Sequence, residues 1–204
     1  VRAGDDLIDE LPHYAPPLWT SCMAPPLCEF SLWICSGVVR AGDLGSWLRM
    51  LTSNKHHHVR IDTKVGGYEH MIQRPHVLDA LAALARHPSN RCTILQLPCG
   101  AWSKVKFECD GGPKPIFTVD YPDGVLDAMG KPLPAVVVAM ERVRAGEHIA
   151  RSTLRAGNLL VSEHPAEEGA ASVLRTRGLE QHSGLHSTSL FKRLIKDYRL
   201  VSVL

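Results

Sequence analysis

The chain has 204 residues, of which 45% are hydrophobic and 22% charged, and its formal net charge is +2. That is the mix of a globular protein long enough to bury a core, and it excludes collagen-like and low-complexity classes. The near-neutral balance gives no reason to expect nucleic acid as a partner. No stretch approaches the ~20 consecutive apolar residues of a spanning helix, and no basic-then-apolar leader opens the chain. The expectation is therefore an intracellular protein with no membrane association.

Charge is uneven along the chain. Residues 1–30 carry five acids against Arg2, whereas Arg175, Arg177, Lys192, Arg193, Lys196 and Arg199 crowd the end. Residues 11–39 hold Pro12, Pro16, Pro17, Pro25 and Pro26, which rule out long helices and central strands. The same stretch holds Trp19, Leu27, Phe30, Trp33 and Ile34, too many large apolar side chains for a disordered linker. It is expected to be a docking arm, with those five residues as its binding contacts, lying either on the chain's own α+β core or in a groove of a protein partner, and a protein partner is expected for the chain.

The next segment, "SNKHHHVRIDTKVGGYEHM", places Gly66 and Gly67 between two β-rich runs. Two glycines in that setting predict a two-residue hairpin turn pairing residues 57–65 with 68–73. Alternation then puts Val59, Ile61, Thr63, Val65, Tyr68, His70 and Ile72 on a buried face, and Arg60, Asp62, Lys64 and Glu69 on a polar one. His57 and His70 are expected on the core face, too far apart to share an ion. His56 and His58, both on the polar face, are the weak alternative for a metal; the reading otherwise expects neither metal nor cofactor.

Pro75 opens a helix with a Val77, Leu78, Leu81, Leu84, Ala85 stripe, stopped by Pro88. Strands are expected over residues 92–97, 103–109 and 116–121, the last with Phe117, Val119 and Tyr121 on one face. Turns follow at 110–113 and 121–124. A second helix begins at Pro134 and buries Val136, Val137, Met140 and Val143, with Gly146 as its stop. Arg-Ala-Gly recurs at Arg2, Arg40, Arg144 and Arg155, and reads as a recurring stop signal. A further helix over 147–156, a short strand over 158–162, a helix over 165–177 and a final helix after Ser187 or Thr188 complete the chain. The last has Leu190, Phe191, Leu194, Ile195 and Tyr198 as its stripe. The expected fold is α+β, with a mainly antiparallel sheet (ββαβββα core), C-terminal helices and a proline-rich N-terminal arm. Its expected divisions are an irregular arm over 1–50, the α+β core over 54–146 and a mostly helical extension over 147–204.

Six cysteines occur and none forms a C-x-x-C pair, so zinc-ribbon and thioredoxin-type sites are excluded. A chain of this length needs no staples, and reduced, buried thiols are expected. Cys99, in "LPCGAW", is the one candidate nucleophile, and it requires a histidine base and something to lower its pKa. "GEHIAR" and "SEHPAEE" set Glu beside His without the H-E-x-x-H spacing. A G-x-S-x-G elbow, a P-loop and a G-x-G-x-x-G fingerprint are missing. Ser187, Thr188 and Ser189 are similar to the Ser-Thr-Ser segment of ADP-ribosyltransferases. No Glu-x-Glu follows them, and they read better as helix caps. The function expected from these features is a non-catalytic interaction protein, a subunit of an assembly or a small inhibitor-type module. The alternative is a hydrolase or transferase using Cys99 with a histidine base.

Overall fold

In a computed structural model, the described residues are 29–36, 57–97, 116–163 and 184–201. Four strands, β1 (Phe30–Ile34), β2 (His57–Ile61), β3 (Asn90–Leu95) and β4 (Leu159–Ser162), form one sheet in the order β2-β1-β3-β4. Every pairing is parallel. Among the described residues the helices are α1 (Thr63–Gly66), α2 (Pro75–Arg86), α3 (Pro134–Arg155) and α4 (Ser189–Tyr198), with short 3-10 turns at Gly67–His70 and Leu185–Ser187. This is an α/β fold, and the expected antiparallel α+β sheet is corrected by it.

Two elements account for the difference. The first is β1. All five of its residues are buried, so the run Phe-Ser-Leu-Trp-Ile is an interior strand of the chain's own sheet, where the prolines of residues 11–39 point away from a central strand. A parallel strand covered on both faces takes a near-continuous apolar run rather than alternation. The second is the Gly66-Gly67 pair. No hairpin forms there, because β2 stops at Ile61 and Asp62 turns the chain into α1. The Asp62 side chain caps that helix by accepting from the Lys64 amide at 2.7 Å. Gly67, at φ +55°, ends it in a conformation that suits glycine. Ile61 and Ile72 are both buried, as expected, but in different elements. The expected facing of β2 also fails: His58 is buried and His57 half-buried, and Arg60 is buried as well. The Arg60 guanidinium lies over the ring of Trp33, its register partner on β1, at 4.8 Å. That cation–π contact offsets part of the charge's burial.

α2 begins at Pro75 and buries Val77, Leu81, Ala82, Leu84 and Ala85. Its last carbonyls are met by side chains. Asn90 and Asn158 both donate to the Ala85 carbonyl, at 3.1 and 2.9 Å. Asn90 also donates to Thr93 at 3.0 Å, and Thr93 lies 2.9 Å from the Thr153 hydroxyl on α3. This buried polar chain ties α2, β3 and α3 together in a setting where unmet polar groups are costly.

Residues 116–121 are bends rather than a strand. Phe117 is fully buried while Val119 and Tyr121 are exposed, so the expected common face is absent. The turn at 121–124 does form, with the Gly124 amide on the Tyr121 carbonyl at 3.0 Å. α3 runs through Gly146 instead of stopping there. A Cβ at that position would lie 2.8 Å from Leu97, so Gly146 serves close approach. The Arg-Ala-Gly at Arg155 does end the helix: Gly157 has φ +76°, and its amide reaches the Leu154 carbonyl at 3.1 Å. Thr188 caps α4 by accepting from the Phe191 amide. The expected strand over 103–109 and helix over 165–177 lie outside the described residues.

The chain divides into two compact units. One comprises Val1–Gln96 and His148–Glu163 and contains the sheet; the other comprises Leu97–Glu147 and His164–Leu204. No helix among the described residues is long and apolar enough to cross a membrane.

Candidate functional site

The strand order determines where a site can form. From β1 the chain moves outward to β2, then returns through α2 to β3 on the other side of β1, and continues outward to β4. The direction reverses between β1 and β3. In open parallel sheets the strand ends splay at such a reversal and leave a crevice beyond their carboxyl ends, and ligands bind there.

The residues at those ends are polar. Beyond β1 come Cys35 and Ser36; beyond β2, Asp62; beyond β3, Gln96; beyond β4, Glu163. Cys35 has φ +59°, a left-handed backbone that costs a non-glycine residue about 1 kcal/mol. Its amide is 2.6 Å from the Ile61 carbonyl, and the Ser36 amide approaches the same oxygen at 3.4 Å. The bend therefore holds the β1 exit against the β2 exit. Strained backbone of this kind is characteristic of ligand sites.

Asp62 is held from three directions. Its carboxylate caps α1, its carbonyl accepts from the Gly66 amide at 2.9 Å, and the His70 ring lies beside its backbone. His70 Nδ1 is 3.2 Å from the Asp62 amide and 2.9 Å from the Asp62 carbonyl. His70 is 1% exposed and its ring lies directly on Gly66, where a Cβ would sit 2.2 Å away. The two glycines thus have separate tasks: Gly66 makes room for an imidazole, and Gly67 takes the positive φ.

Gln96 bridges the switch point. Its amide bonds the Ile34 carbonyl at 3.0 Å, and its side-chain oxygen accepts from the Trp33 indole at 2.6 Å. Its side-chain nitrogen reaches Glu163 at 3.4 Å, while the Glu163 amide bonds the Leu95 carbonyl at 3.0 Å. The exits of β1, β3 and β4 are linked through one side chain, and the Glu163 carboxylate is turned toward that link.

Of the residues proposed from sequence, Phe30, Trp33 and Ile34 are buried within β1, at 2%, 5% and 0% exposure. Trp19 and Leu27 lie outside the described residues, as do Cys99 and His56. His58 is inside β2 and 1% exposed. Among the described residues no group of three or more His, Cys, Asp or Glu is placed to hold a metal ion. Cys35 and Cys92 are free thiols. Burial pushes the Cys92 thiol up to about 11, which removes it as a nucleophile.

Cys35, Asp62, Gln96 and Glu163 escaped the sequence reading. Their common feature is position: each is the first residue after a strand. The segment after Ser36 also carries Gly37, Gly42 and Gly45. No family model, curated protein or solved structure matches the chain.

Proposed function

We propose that the chain is a transferase whose site is the carboxyl edge of the sheet. A nucleoside-containing cosubstrate lies across the switch point there, and Asp62 accepts hydrogen bonds from its ribose hydroxyls. One observation carries this reading: the parallel order β2-β1-β3-β4, with an acid leaving the strand beside β1. In nucleotide-binding sheets the ligand occupies this crevice, and an acid a few tens of residues beyond the first strand takes the ribose hydroxyl. A carboxylate has about four acceptor sites, so capping α1 leaves it capacity for a ligand.

The reacting groups of this reading are taken from the sequence that follows β3 and β4. Cys99 stands four residues beyond Leu95, and Glu163 with His164 follows directly on β4. The ends of β3 and β4 are joined by the bond from the Glu163 amide to the Leu95 carbonyl. A thiol, a carboxylate and an imidazole that follow these strands in the sequence are residue types suited to nucleophilic group transfer. A pure interaction module draws less support, because three of its five contact residues are occupied within β1.

Calorimetric binding of paired ribonucleosides and 2′-deoxynucleosides tests the assignment. Asp62→Asn keeps a helix-capping side chain, so the fold survives. It should weaken the ribonucleoside about tenfold and leave the deoxynucleoside unchanged. Equal loss for both, or no saturable binding by any nucleoside, would contradict the proposal.

A further inference from the structure

The second unit carries its own cleft, distinct from the sheet edge. It encloses about 480 Å³, within the range of small-molecule sites. Leu126 and Pro132 on one loop, Val136, Val137 and Met140 on α3, and Leu190 on α4 form its apolar lining. The loop is held in two places. Gly124, at φ +107°, sits so close to Val136 that a Cβ would fall 2.2 Å from that side chain. Asp127 accepts from the Met129 and Lys131 amides at 2.8 and 2.9 Å, which tightens the following turn. Leu126 and Val137 are nonetheless 49% and 41% exposed, so apolar surface faces solvent inside a built concavity.

The polar groups at this cleft are unbalanced. Asp123 is the acid, and it accepts from the Ser189 amide at 2.8 Å, so its charge is directed at the start of α4. Arg144 and Arg193 complete the lining, and neither has an ionic partner among the described residues. Their placement follows from helical spacing. Arg144 stands one turn beyond Met140 on α3, and Arg193 stands one turn beyond Ser189 and Leu190 on α4. Each helix therefore runs from apolar residues to a cation on the face that lines the cleft.

We infer that this cleft binds a small amphipathic carboxylate, whose apolar body lies on Leu126, Val137 and Met140 and whose carboxylate pairs with Arg144 and Arg193. Guanidinium groups match carboxylates in geometry as well as charge. A neutral or cationic amphiphile of the same length finds the same apolar wall but no complementary charge.

Titration calorimetry on the full chain with decanoate, decanol and decyltrimethylammonium separates these cases. Decanoate should saturate one site. Decanol should bind about tenfold more weakly, in line with two partly exposed ion pairs, and the ammonium should not bind. The double variant Arg144→Gln/Arg193→Gln should lower decanoate to the level of decanol. Val137→Asp places a like charge at an exposed position, where folding is not at stake, and should abolish decanoate binding. The inference is overturned by absent saturation, by equal affinity for the three amphiphiles, or by either variant leaving decanoate affinity unchanged.

Discussion

Replacing Gly66 with alanine brings two opposing effects into one residue. Gly66 is the last residue of α1, and helix propensity alone favours alanine over glycine by about 1 kcal/mol. The new Cβ, however, would lie 2.2 Å from three ring atoms of His70. His70 is 1% exposed, so the ring cannot swing into solvent without opening its surroundings. Forced repacking costs about 1–3 kcal/mol. Losing the contact between the ring and the Asp62 backbone adds about 1 kcal/mol. The clash wins, and Gly66→Ala should destabilise the protein by about 1–3 kcal/mol. Urea unfolding of the wild type, Gly66→Ala, His70→Ala and the double variant measures this directly. The two changes should couple by more than about 1 kcal/mol, because removing the ring removes the clash. Gly67→Ala is the control. It meets no neighbour within 4 Å, so it costs only its φ of +55° and should be additive with His70→Ala. A stabilising Gly66→Ala, or one additive with His70→Ala, would refute the packing of His70 on α1.

Thr153→Val removes the hydroxyl that lies 2.9 Å from Thr93 and 3.0 Å from the Ile149 carbonyl, and should cost about 1–2 kcal/mol by thermal unfolding. The Cys92 thiol, pushed up to about 11 by burial, should resist alkylation at pH 8 in the folded protein and react on unfolding. Its raised folded value also makes a signed pH prediction. The unfolded thiol ionises first as pH rises, so the stability this group contributes is complete below about pH 8.5 and is lost on the way to about 11. Stability rising across that window in the wild type relative to Cys92→Ala would contradict this.

How much of the molecule was legible in its sequence depends on which element is considered. α2 was readable from Pro75 and its apolar stripe, and α4 from Thr188, because caps and helical periodicity are local properties. The sheet was not, because strand direction is settled by partners far along the chain. The five buried residues of β1 carry the mark of an interior parallel strand, a run that is apolar but for Ser31, while the prolines before it favour an arm. Gly66-Gly67 misled because a turn glycine and a close-packing glycine look alike in sequence. What separates them is His70, four residues on, and the Asp62 cap. Gly146 shows the same ambiguity, since only the approach of Leu97 distinguishes it from a helix stop. The candidate site was least legible of all. Asp62, Gln96 and Glu163 form no motif by spacing. They come to one end of the sheet only once four strands lie parallel, and nothing local to any of the three announces it.

Photo-crosslinking with 8-azidoadenosine, followed by peptide mapping, tests the central proposal most directly. Saturable label, displaced by excess adenosine, should fall on peptides containing Cys35, Asp62 or Gln96. Label confined to residues 116–147 or 184–201, or label that adenosine does not displace, would contradict a nucleoside site at the carboxyl edge of the sheet.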